Sequence, residues 1–432
     1  MGFDIPSGAK YVLQTLATAG YEAYLVGGCV RDLIRGVPPH DWDICTSAHP
    51  EQTKACFPGH RIIEAGVKHG TVTVMEDGRP YEITTYRTEG PYTDGRRPDF
   101  VRFVPSLEAD LARRDFTMNA AAIGLDGRLR DPFGGADDIR EGLIRCVGCP
   151  DQRFQEDGLR IMRALRFACV IGCRIERATA QAIHHNRAVL NRVAAQRINA
   201  ELCRLLTGAG VGEILLQYPD VLCTFWPQLC PPAMTGPGNP PDWEHTARAV
   251  DAAPADVVPR LAILLHGSGR PGYQPAGERG CAHPAHGAQL ADQMLRALKF
   301  DNATRKRVAT LVEYYDVQLP PEGHAVRRWL SRLGEEAFFQ LLEVKAADLA
   351  AEKADSRLAQ LEEARAIAQQ TIALHQCLTL KDLAVDGRDV LAAGAAPGPQ
   401  VGRVLDTLLE RVLSGELPNQ RETLLKQLRE RV

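Results

Sequence analysis

The sequence predicts an α+β fold, in which a small mixed β-sheet head is followed by a long all-α region. In the N-terminal third of the chain, short apolar strands alternate with helical segments. Residues 71–76 (TVTVME) and 81–87 (YEITTYR) alternate in polarity and flank Asp77-Gly78, which is typical of a β-hairpin with a two-residue turn. Residues 153–210, by contrast, lack proline and carry apolar side chains at helical spacing. These patterns separate a sheet-containing head from a helical remainder.

Four regions follow from these patterns. The chain has 432 residues, which is enough for about three domains of ordinary size. We assign a mixed-sheet head to residues 1–145 and a helical neck to 146–210. A helical body then covers 211–350, and a helical tail covers 351–432.

The composition argues against a membrane-spanning or secreted protein. No run of about 18 apolar residues occurs, and the N-terminus lacks the basic start and apolar core of a secretory signal. We therefore expect a cytoplasmic protein with no membrane partner, whose 12 cysteines are reduced thiols.

Arginine is concentrated in the neck. The net charge of −3 does not by itself predict a nucleic-acid partner. Between positions 153 and 204, however, the sequence has ten arginines, no lysine and four acidic residues. Such a segment is either a phosphate-binding surface or a set of ordinary solvated helix faces.

Residues 24–48 (YLVGGCVRDLIRGVPPHDWDICTSA) contain two closely spaced aspartates after a strand and a glycine turn. If 41–45 form a strand, Asp41 and Asp43 project from the same face. Adjacent carboxylates repel each other unless a cation lies between them, and Mg²⁺ prefers oxygen ligands. The pair therefore indicates a phosphoryl-transfer site with bound metal, and the alternative is an exposed acidic turn.

The glycines upstream of the aspartates suit an anion. We expect a helix to begin near Val30, directly after Gly27-Gly28, and backbone N–H groups at a helix start bind phosphate. Arg31 adds a guanidinium that can donate to phosphate oxygens. A plain strand-to-helix turn is the alternative interpretation.

Taken in chain order, the motifs resemble those of class II nucleotidyltransferases, the family of tRNA nucleotidyltransferases and bacterial poly(A) polymerases. The resemblance covers nearly the whole chain. It rests on GGCVRD (27–32), DWD (41–43), KHGTVTV (68–74), YEITTYR (81–87), the flexible-loop segment 87–103, ARRDFTMNA (112–120), DPFGGADDI (131–139), EDGLRIMRALRFA (156–168), QRINAEL (196–202) and the tail segments 383–402 and 414–422.

The resemblance implies a nucleotidyltransferase that adds CCA to the 3′ end of tRNA without a nucleic-acid template. Its partners would be tRNA, CTP and ATP, and its cofactor would be Mg²⁺ in a two-metal site at Asp41 and Asp43. Glu82 is a candidate third catalytic carboxylate, although the sequence does not decide which face of its strand it occupies. The implied nucleotide-binding residues are Gly28, Arg31, Arg114, Asp115, Asp157, Arg160, Arg163 and Arg166.

Arg114 and Asp115 belong to the motif that resembles the family's ribose-binding segment. The Asp115 carboxylate can accept a hydrogen bond from a ribose hydroxyl, and Arg114 can hold phosphate or that carboxylate. A salt bridge at the start of a helix is the alternative.

Base selection is implied for Glu156, Asp157 and Arg160, which we expect to share one helix with Arg163 and Arg166. Asp157 and Arg160 are then i, i+3 neighbours. Cytosine and adenine both present an amino donor beside a ring-nitrogen acceptor, so a carboxylate beside a guanidinium matches both and opposes guanine and uracil. The alternative is a surface ion pair.

Residues 245–271 resemble a segment of HD-domain phosphohydrolases, which bind metal through histidines and a His-Asp pair. In this sequence His266 is followed by Gly267 instead of aspartate, while His245, His283 and His286 remain. Because the central carboxylate is missing, we expect no working metal site there and a structural role for the helical body.

Three activities share a head of this kind: CCA addition, addition of A only, and poly(A) synthesis. Residues 46–66 lack the basic-aromatic signature of bacterial poly(A) polymerases, and the loop at 87–98 is not shortened as in CC-only enzymes. We favour CCA addition, with A-only addition and poly(A) synthesis as alternatives. A non-catalytic RNA-binding protein and a phosphohydrolase are more distant alternatives, and the sequence does not specify an oligomeric state.

Overall fold

The computed structural model describes residues 3–90, 101–229, 241–267 and 284–431. The chain forms two compact units, one comprising Met1–Gly210 with Gln217–Pro227 and the other comprising Val211–Leu216 with Gln228–Val432. Among the described residues, no helix combines the length and the apolar character needed to span a membrane. The finer division into four regions stays a prediction.

The first unit contains the β-structure, and its largest sheet is mixed. Seven strands follow the order β3-β4-β5-β2-β1-β8-β9, with β2 and β5 parallel and the other neighbours antiparallel. The predicted mixed-sheet head is therefore confirmed. The strands are β1 (Ala23–Val26), β2 (Asp43–Thr46), β3 (Ile62–Ile63), β4 (Thr71–Glu76), β5 (Arg79–Thr85), β6 (Arg87–Glu89), β7 (Val101–Phe103), β8 (Ala122–Gly124), β9 (Leu129–Arg130), β10 (Leu143–Ile144) and β11 (Arg174–Ile175).

The first unit also contains ten of the described α-helices. They are α1 (Ser7–Thr18), α2 (Gly28–Arg35), α3 (Pro50–Cys56), α4 (Leu107–Ala112), α5 (Gly135–Arg140), α6 (Pro150–Glu156), α7 (Leu159–Ile171), α8 (Arg177–Asn186), α9 (Ala195–Leu206) and α11 (Pro219–Phe225).

The described residues of the second unit form helices joined by loops and contain no strand, as predicted. Its helices are α10 (Val211–Gln217, which ends one residue beyond the unit's boundary), α12 (Pro241–Ala252), α13 (Val257–Leu265), α14 (Pro284–Ala297), α15 (Asn302–Tyr314), α16 (Gly323–Leu333), α17 (Glu335–Glu352), α18 (Asp355–Ala373), α19 (Gly387–Ala392), α20 (Pro399–Leu413) and α21 (Arg421–Arg431).

The predicted hairpin is formed by β4 and β5. Its two turn residues, Asp77 and Gly78, have φ angles of 49° and 74°. Two consecutive positive φ angles match the right-handed twist of the flanking strands, and the sequence Asp-Gly tolerates them. The short-range turn signal was therefore sufficient to locate this hairpin.

The two faces of the sheet bury different side chains. Leu25 and Ile44 join the core that includes Leu13 of α1, whereas Val26 and Cys45 belong to a separate cluster on the other face. Because successive strand residues point to opposite faces, the side chain of Asp43 shares the face of Cys45. This alternation decides where the functional carboxylates lie.

The described cysteines are mostly free thiols, with one correction to the sequence-based expectation. Nine described cysteines are free. Cys223 is disulfide-bonded, so the expectation that every cysteine is a reduced thiol is wrong at this position.

Gly135→Ala tests the packing between α5 and the segment that follows α4. A Cβ atom at Gly135 would lie 2.0 Å from the carbonyl oxygen of Thr117 and 2.7 Å from its carbonyl carbon. Since backbone cannot swing away as a side chain can, we expect the free energy of unfolding to fall by about 1–3 kcal/mol or more, measured by urea titration.

Gly402→Ala is the control, because a Cβ atom there meets nothing within 4 Å and the residue lies inside α20. Alanine is the better helix former, so this variant should be unchanged or more stable by up to about 1 kcal/mol. Equal stability of Gly135→Ala and the parent would contradict the close packing.

Candidate functional site

A cavity of about 430 Å³ in the first unit collects most of the residues singled out in the sequence. Its lining includes seven guanidinium groups and only three carboxylates, so the cavity is strongly electropositive and suits a polyphosphate. These charged residues are Arg31, Arg113, Arg114, Arg160, Arg163, Arg166, Arg197, Asp43, Asp115 and Asp157.

Three predicted site residues stand outside this lining. Glu156 lines a smaller neighbouring cavity of about 210 Å³, which shares Arg113 and Arg160 with the larger one. Asp41 and Glu82 do not line either cavity but act electrostatically on Asp43. The loop prediction at 87–98 falls largely on residues 91–100, which lie outside the described residues.

The glycine turn after β1 brings backbone close to the charged side chains. Gly27 has φ 74° and ψ −132°, and α2 begins at Gly28, two residues before the expected start at Val30. A Cβ atom at Gly27 would lie 3.1 Å from Nη1 of Arg114 and 3.6 Å from Oδ2 of Asp43. Gly27 is therefore the position of this pair that requires glycine, and Gly28, predicted to bind nucleotide, also lines the cavity.

Arg31 is held in place from two sides. Its Nε donates to Oδ1 of Asp32 at 2.9 Å, and its Nη1 donates to Oδ1 of Asn119 at 3.1 Å. The guanidinium also lies 5.4 Å from the centre of the Phe167 ring. These contacts hold its charge at the cavity wall, where it can meet an anion without further ordering.

The carboxylate pair is arranged differently from the sequence-based expectation. Strand β2 begins at Asp43, so Asp41 lies in the preceding bend and the premise of a strand over 41–45 is wrong. Asp43 is instead paired in register with Glu82 on the parallel strand β5. Register partners in parallel strands project to the same face, which answers the question of how Glu82 is oriented.

The neighbouring carboxylates perturb Asp43. Burial raises its pKa, Glu82 and Asp41 raise it further, and Arg114 opposes them, with a result of about 6. A carboxyl group surrounded in this way retains a proton more readily than usual, and a bound cation would relieve the same repulsion.

Asp115 is a buried anchor between the head and α7. Its Oδ2 accepts from Nε of Arg163 at 2.7 Å, and its Oδ1 accepts from Nδ2 of Asn119 at 3.1 Å and from the backbone N–H of Phe116 at 2.8 Å. Burial raises the pKa of Asp115, but Arg163 and Asn119 outweigh that effect and lower it to about 2.

The polar residues of the neck do not share one helix, and that prediction is wrong. Helix α6 ends at Glu156, α7 begins at Leu159, and Asp157 between them is extended, with φ −142° and ψ 104°. Oδ1 of Asp157 accepts from the backbone N–H of Leu159 at 3.0 Å. An aspartate side chain that accepts from a backbone N–H two residues later competes with helix continuation, which explains the break.

Asp157 and Arg160 consequently have different partners. Oδ2 of Asp157 accepts from Nη2 of Arg197 on α9 at 2.9 Å. Nη1 of Arg160 donates to Oε2 of Glu156 at 2.7 Å, and its Nη2 donates to the backbone carbonyl of Arg113 at 2.9 Å. Both side chains line the same cavity, and the i, i+3 ion pair considered as the alternative to base selection is absent from the described contacts.

Sequence reasoning assigned no role to Phe167, Arg197 or Glu201, although the quoted motifs contain them. The Phe167 ring lies 4.0 Å from the guanidinium of Arg166, and the buried Glu201 pairs with Arg166 at 3.0 Å. The i, i+4 spacing of Arg197 and Glu201 was the available signal, because it puts both on one face of a helix.

Two family models match the chain. Residues 23–145 match the model described as the poly A polymerase head domain, and residues 285–428 match the model described as tRNA nucleotidyltransferase domain 2, putative.

Curated relatives match over almost the full length. The chain is 36% identical to the CCA-adding enzyme of Lactobacillus delbrueckii subsp. bulgaricus over 417 residues, which cover 95% of this chain and 94% of the relative. It is 37% identical to the CCA-adding enzyme of Lacticaseibacillus paracasei over 418 residues, which cover 96% of this chain and 94% of the relative.

Solved structures show the same fold. The chain resembles the crystal structure of the Bacillus stearothermophilus CCA-adding enzyme in complex with CTP, with a TM-score of 0.73, 33% identity, and coverage of 98% of this chain and 96% of that one. The Thermotoga maritima CCA-adding enzyme complexed with tRNA has a TM-score of 0.63 at 19% identity, with coverage of 97% and 93%, and this likeness concerns the fold alone.

Asp115→Asn tests the buried anchor, and its effect on the free energy of unfolding should depend on pH. The folded-state pKa of about 2 lies below the unfolded value, so the carboxylate stabilises the fold above pH about 4 and loses that effect as pH falls toward 2. We expect the variant to be less stable than the parent by about 2 kcal/mol at pH 7, and by clearly less at pH 3, in urea titrations. A difference that is the same at both pH values would contradict the ion-pair interpretation.

Proposed function

The chain belongs to the family of CCA-adding enzymes, and from that premise we propose that it adds CCA to the 3′ end of tRNA from CTP and ATP. The observation that carries the proposal is the electropositive cavity, in which seven guanidinium groups lie beside Asp43. In the reaction, the tRNA 3′-hydroxyl oxygen forms a bond to the α-phosphorus of the nucleotide. The bond from that phosphorus to the bridging oxygen breaks, and pyrophosphate leaves.

The head carboxylates fit a divalent cation. Enzymes of this kind normally use divalent metal, and the raised pKa of Asp43 beside Asp41 and Glu82 indicates carboxylates whose repulsion a cation would relieve. We assign the metal ligands to Asp41 and Asp43, with Glu82 as a third catalytic carboxylate, and the metal to Mg²⁺ in a two-metal site. When bound, such metal supplies Lewis acidity toward the 3′-hydroxyl and neutralises charge on the triphosphate.

The arginines of the cavity bind and orient the triphosphate. Nη1 of Arg114 lies 3.1 Å from the position of a Cβ atom at Gly27, and Nη2 of Arg31 lies 3.7 Å from that of a Cβ atom at Gly28. Both guanidinium groups are therefore close to a turn whose backbone can approach a phosphate. Arg163 and Arg166 extend the positive wall along α7. Because a guanidinium group has five N–H donors, an arginine that pairs with a carboxylate can also donate to a phosphate oxygen.

Asp115 is also bound by groups of the protein itself. Both of its oxygens accept hydrogen bonds from the protein, and one of them holds Arg163. We therefore assign Asp115 to orienting Arg163, and contact with the ribose hydroxyl remains a prediction.

Base selection is assigned to Asp157 and Arg160, with Glu156 acting through Arg160. Asp157 reaches the cavity from the break between α6 and α7, and Arg160 reaches it from the first turn of α7. A base that offers an amino donor and a ring acceptor pairs with a carboxylate and a guanidinium together. A mismatched base leaves buried groups unpaired, at a cost of roughly 1–3 kcal/mol each.

The remaining regions are assigned to the nucleic acid. We propose that the helical tail at 351–432 contacts tRNA and that the protein acts in the cytoplasm. The matched tRNA nucleotidyltransferase domain at 285–428 supports the tail assignment.

Incorporation of labelled nucleotides into tRNA lacking its 3′ CCA tests the activity and the carboxylates together. We expect two cytidines from CTP alone and CCA from CTP with ATP. Asp41→Ala and Asp43→Ala should abolish incorporation while tRNA binding stays nearly intact, because they remove the metal ligands. Asp126→Ala is the control, since that carboxylate is exposed and its described ion pairs are with the neighbouring Arg128 and Arg130.

The same assay separates the alternatives. Incorporation of A without C would favour the A-only enzyme, and long A tracts would favour poly(A) synthesis. No incorporation by the parent would favour a non-catalytic RNA-binding protein. Full extension by either aspartate variant would overturn the assignment of the metal ligands.

Asp157→Ala and Arg160→Ala test base selection. We expect each to reduce the preference for C and A over U and G by about tenfold or more, because one of two paired hydrogen bonds is lost. Single-nucleotide incorporation with all four triphosphates measures the preference. Asp151→Ala on α6, an exposed residue paired with His185, should leave it unchanged. Unaltered selectivity in both test variants would refute the assignment.

A further inference from the structure

Three helices of the second unit bring two histidines and an aspartate together. Nε2 of His245 on α12 lies 2.7 Å from Oδ1 of Asp348 on α17. Nε2 of His266, which follows the last residue of α13, lies 3.9 Å from the same oxygen. Within the described residues, one ligand atom from each of these side chains lies within 4.8 Å of the other two.

The ring orientation of His266 is set by its other nitrogen. Nδ1 lies within hydrogen-bonding distance of the backbone carbonyl of Ile263, and a carbonyl can only accept, so Nδ1 carries the hydrogen. In the neutral imidazole this tautomer leaves the lone pair on Nε2, the nitrogen on the side of Asp348. A histidine held by a backbone carbonyl in this way is the usual arrangement of a metal-bound imidazole.

The three groups are closed off on the side of His266 and partly exposed to solvent on the side of His245 and Asp348. The side chain of His266 is 3% exposed, and those of His245 and Asp348 are 19% and 24% exposed. The ring of Tyr315 packs edge-on against His266 with a centroid distance of 5.0 Å. An ion could therefore enter from the solvent side, while the interior side is closed by packing.

Lys345 is the nearby cation that would compete with a metal. It lies one turn before Asp348 on α17, and its Nζ donates to the backbone carbonyl of Tyr315 at 2.7 Å. The described ion pairs include no pair between Lys345 and Asp348. The ammonium group is thus committed to a carbonyl and leaves the aspartate available to the two histidines.

We propose that His245, His266 and Asp348 bind one divalent transition-metal ion of the Zn²⁺ class. Two imidazole nitrogens and one carboxylate oxygen suit Zn²⁺ and its neighbours better than Mg²⁺, which prefers oxygen ligands. Tetrahedral bonds of about 2.0–2.2 Å separate ligand atoms by about 3–3.5 Å. The observed separations of 2.7 Å and 3.9 Å bracket that distance, so small side-chain rotations suffice.

The site links three helices that are separate in sequence. The ligands come from α12, the end of α13 and the last third of α17, so a bound ion ties these helices together and leaves a coordination position for water. Its function is to stabilise the helical body. The sequence-based expectation of no working metal site depended on Gly267 standing where aspartate is usual, and it did not include Asp348, which lies much further along the chain.

A proton is the competing occupant. If His266 is an imidazolium, it forms an ion pair with Asp348 without any metal, and the same geometry results. The experiment must therefore measure the metal itself and not the stability of the fold alone.

The test uses the full-length chain carrying Asp41→Ala and Asp43→Ala, so that the carboxylates of the head do not contribute. The protein is stripped with a chelator under reducing conditions, titrated with Zn²⁺ and analysed for bound metal after gel filtration. We expect about one Zn²⁺ per chain and a higher thermal midpoint with Zn²⁺ than without. Co²⁺ should give visible absorption without the near-ultraviolet band of thiolate ligands.

His245→Gln and Asp348→Asn should each weaken Zn²⁺ binding by at least about 10–100-fold and remove the thermal shift. His185→Gln is the matched control, because His185 forms an exposed pair with Asp151 at 3.1 Å. Circular dichroism of each variant checks that the helices are retained, and His245→Gln alone decides if Asp348→Asn unfolds. Absence of stoichiometric binding, or binding unchanged in both variants, would overturn the proposal in favour of the imidazolium.

Discussion

The candidate active site depends on the crowding of like charges around one cavity. Seven guanidinium groups line it, and each of them has a carboxylate partner. Asp110, which is fully buried, pairs with Arg113 and Arg114, while Asp115 holds Arg163. An isolated buried charge is very costly, so each of these carboxylates is needed for the arginines to remain in place.

The carboxylate partners leave the arginines able to bind an anion as well. A guanidinium group has five N–H donors, so an arginine that pairs with one carboxylate can also donate to a phosphate oxygen. The uncharged Phe167 also helps to hold the arginines in place. The centre of its ring lies within 5.4 Å of the guanidinium carbons of Arg31, Arg163 and Arg166, which favours their positions through cation–π attraction. A bound triphosphate would add further acceptors for the same guanidinium groups.

The two proposed metal sites follow from different ligand chemistry. In the head, Asp43 and Glu82 are brought side by side by the parallel pairing of β2 and β5, and the site offers oxygen atoms. In the helical body, His245, His266 and Asp348 offer two nitrogens and one oxygen. Oxygen ligands suit a hard ion that exchanges with substrate, and imidazoles suit an ion that remains bound and links helices.

The sequence by itself determined the mixed-sheet head, the helical remainder, the β4–β5 hairpin and the residue types of the cavity. These depend on local signals, such as period-2 alternation or the Asp-Gly turn, or on motifs that keep their order along the chain. Only the tertiary structure decided which charged side chains pair with each other. Asp157 binds Arg197 instead of Arg160, and Asp348 meets two histidines far from it in sequence. Such pairings depend on how helices pack, and no local pattern encodes the packing.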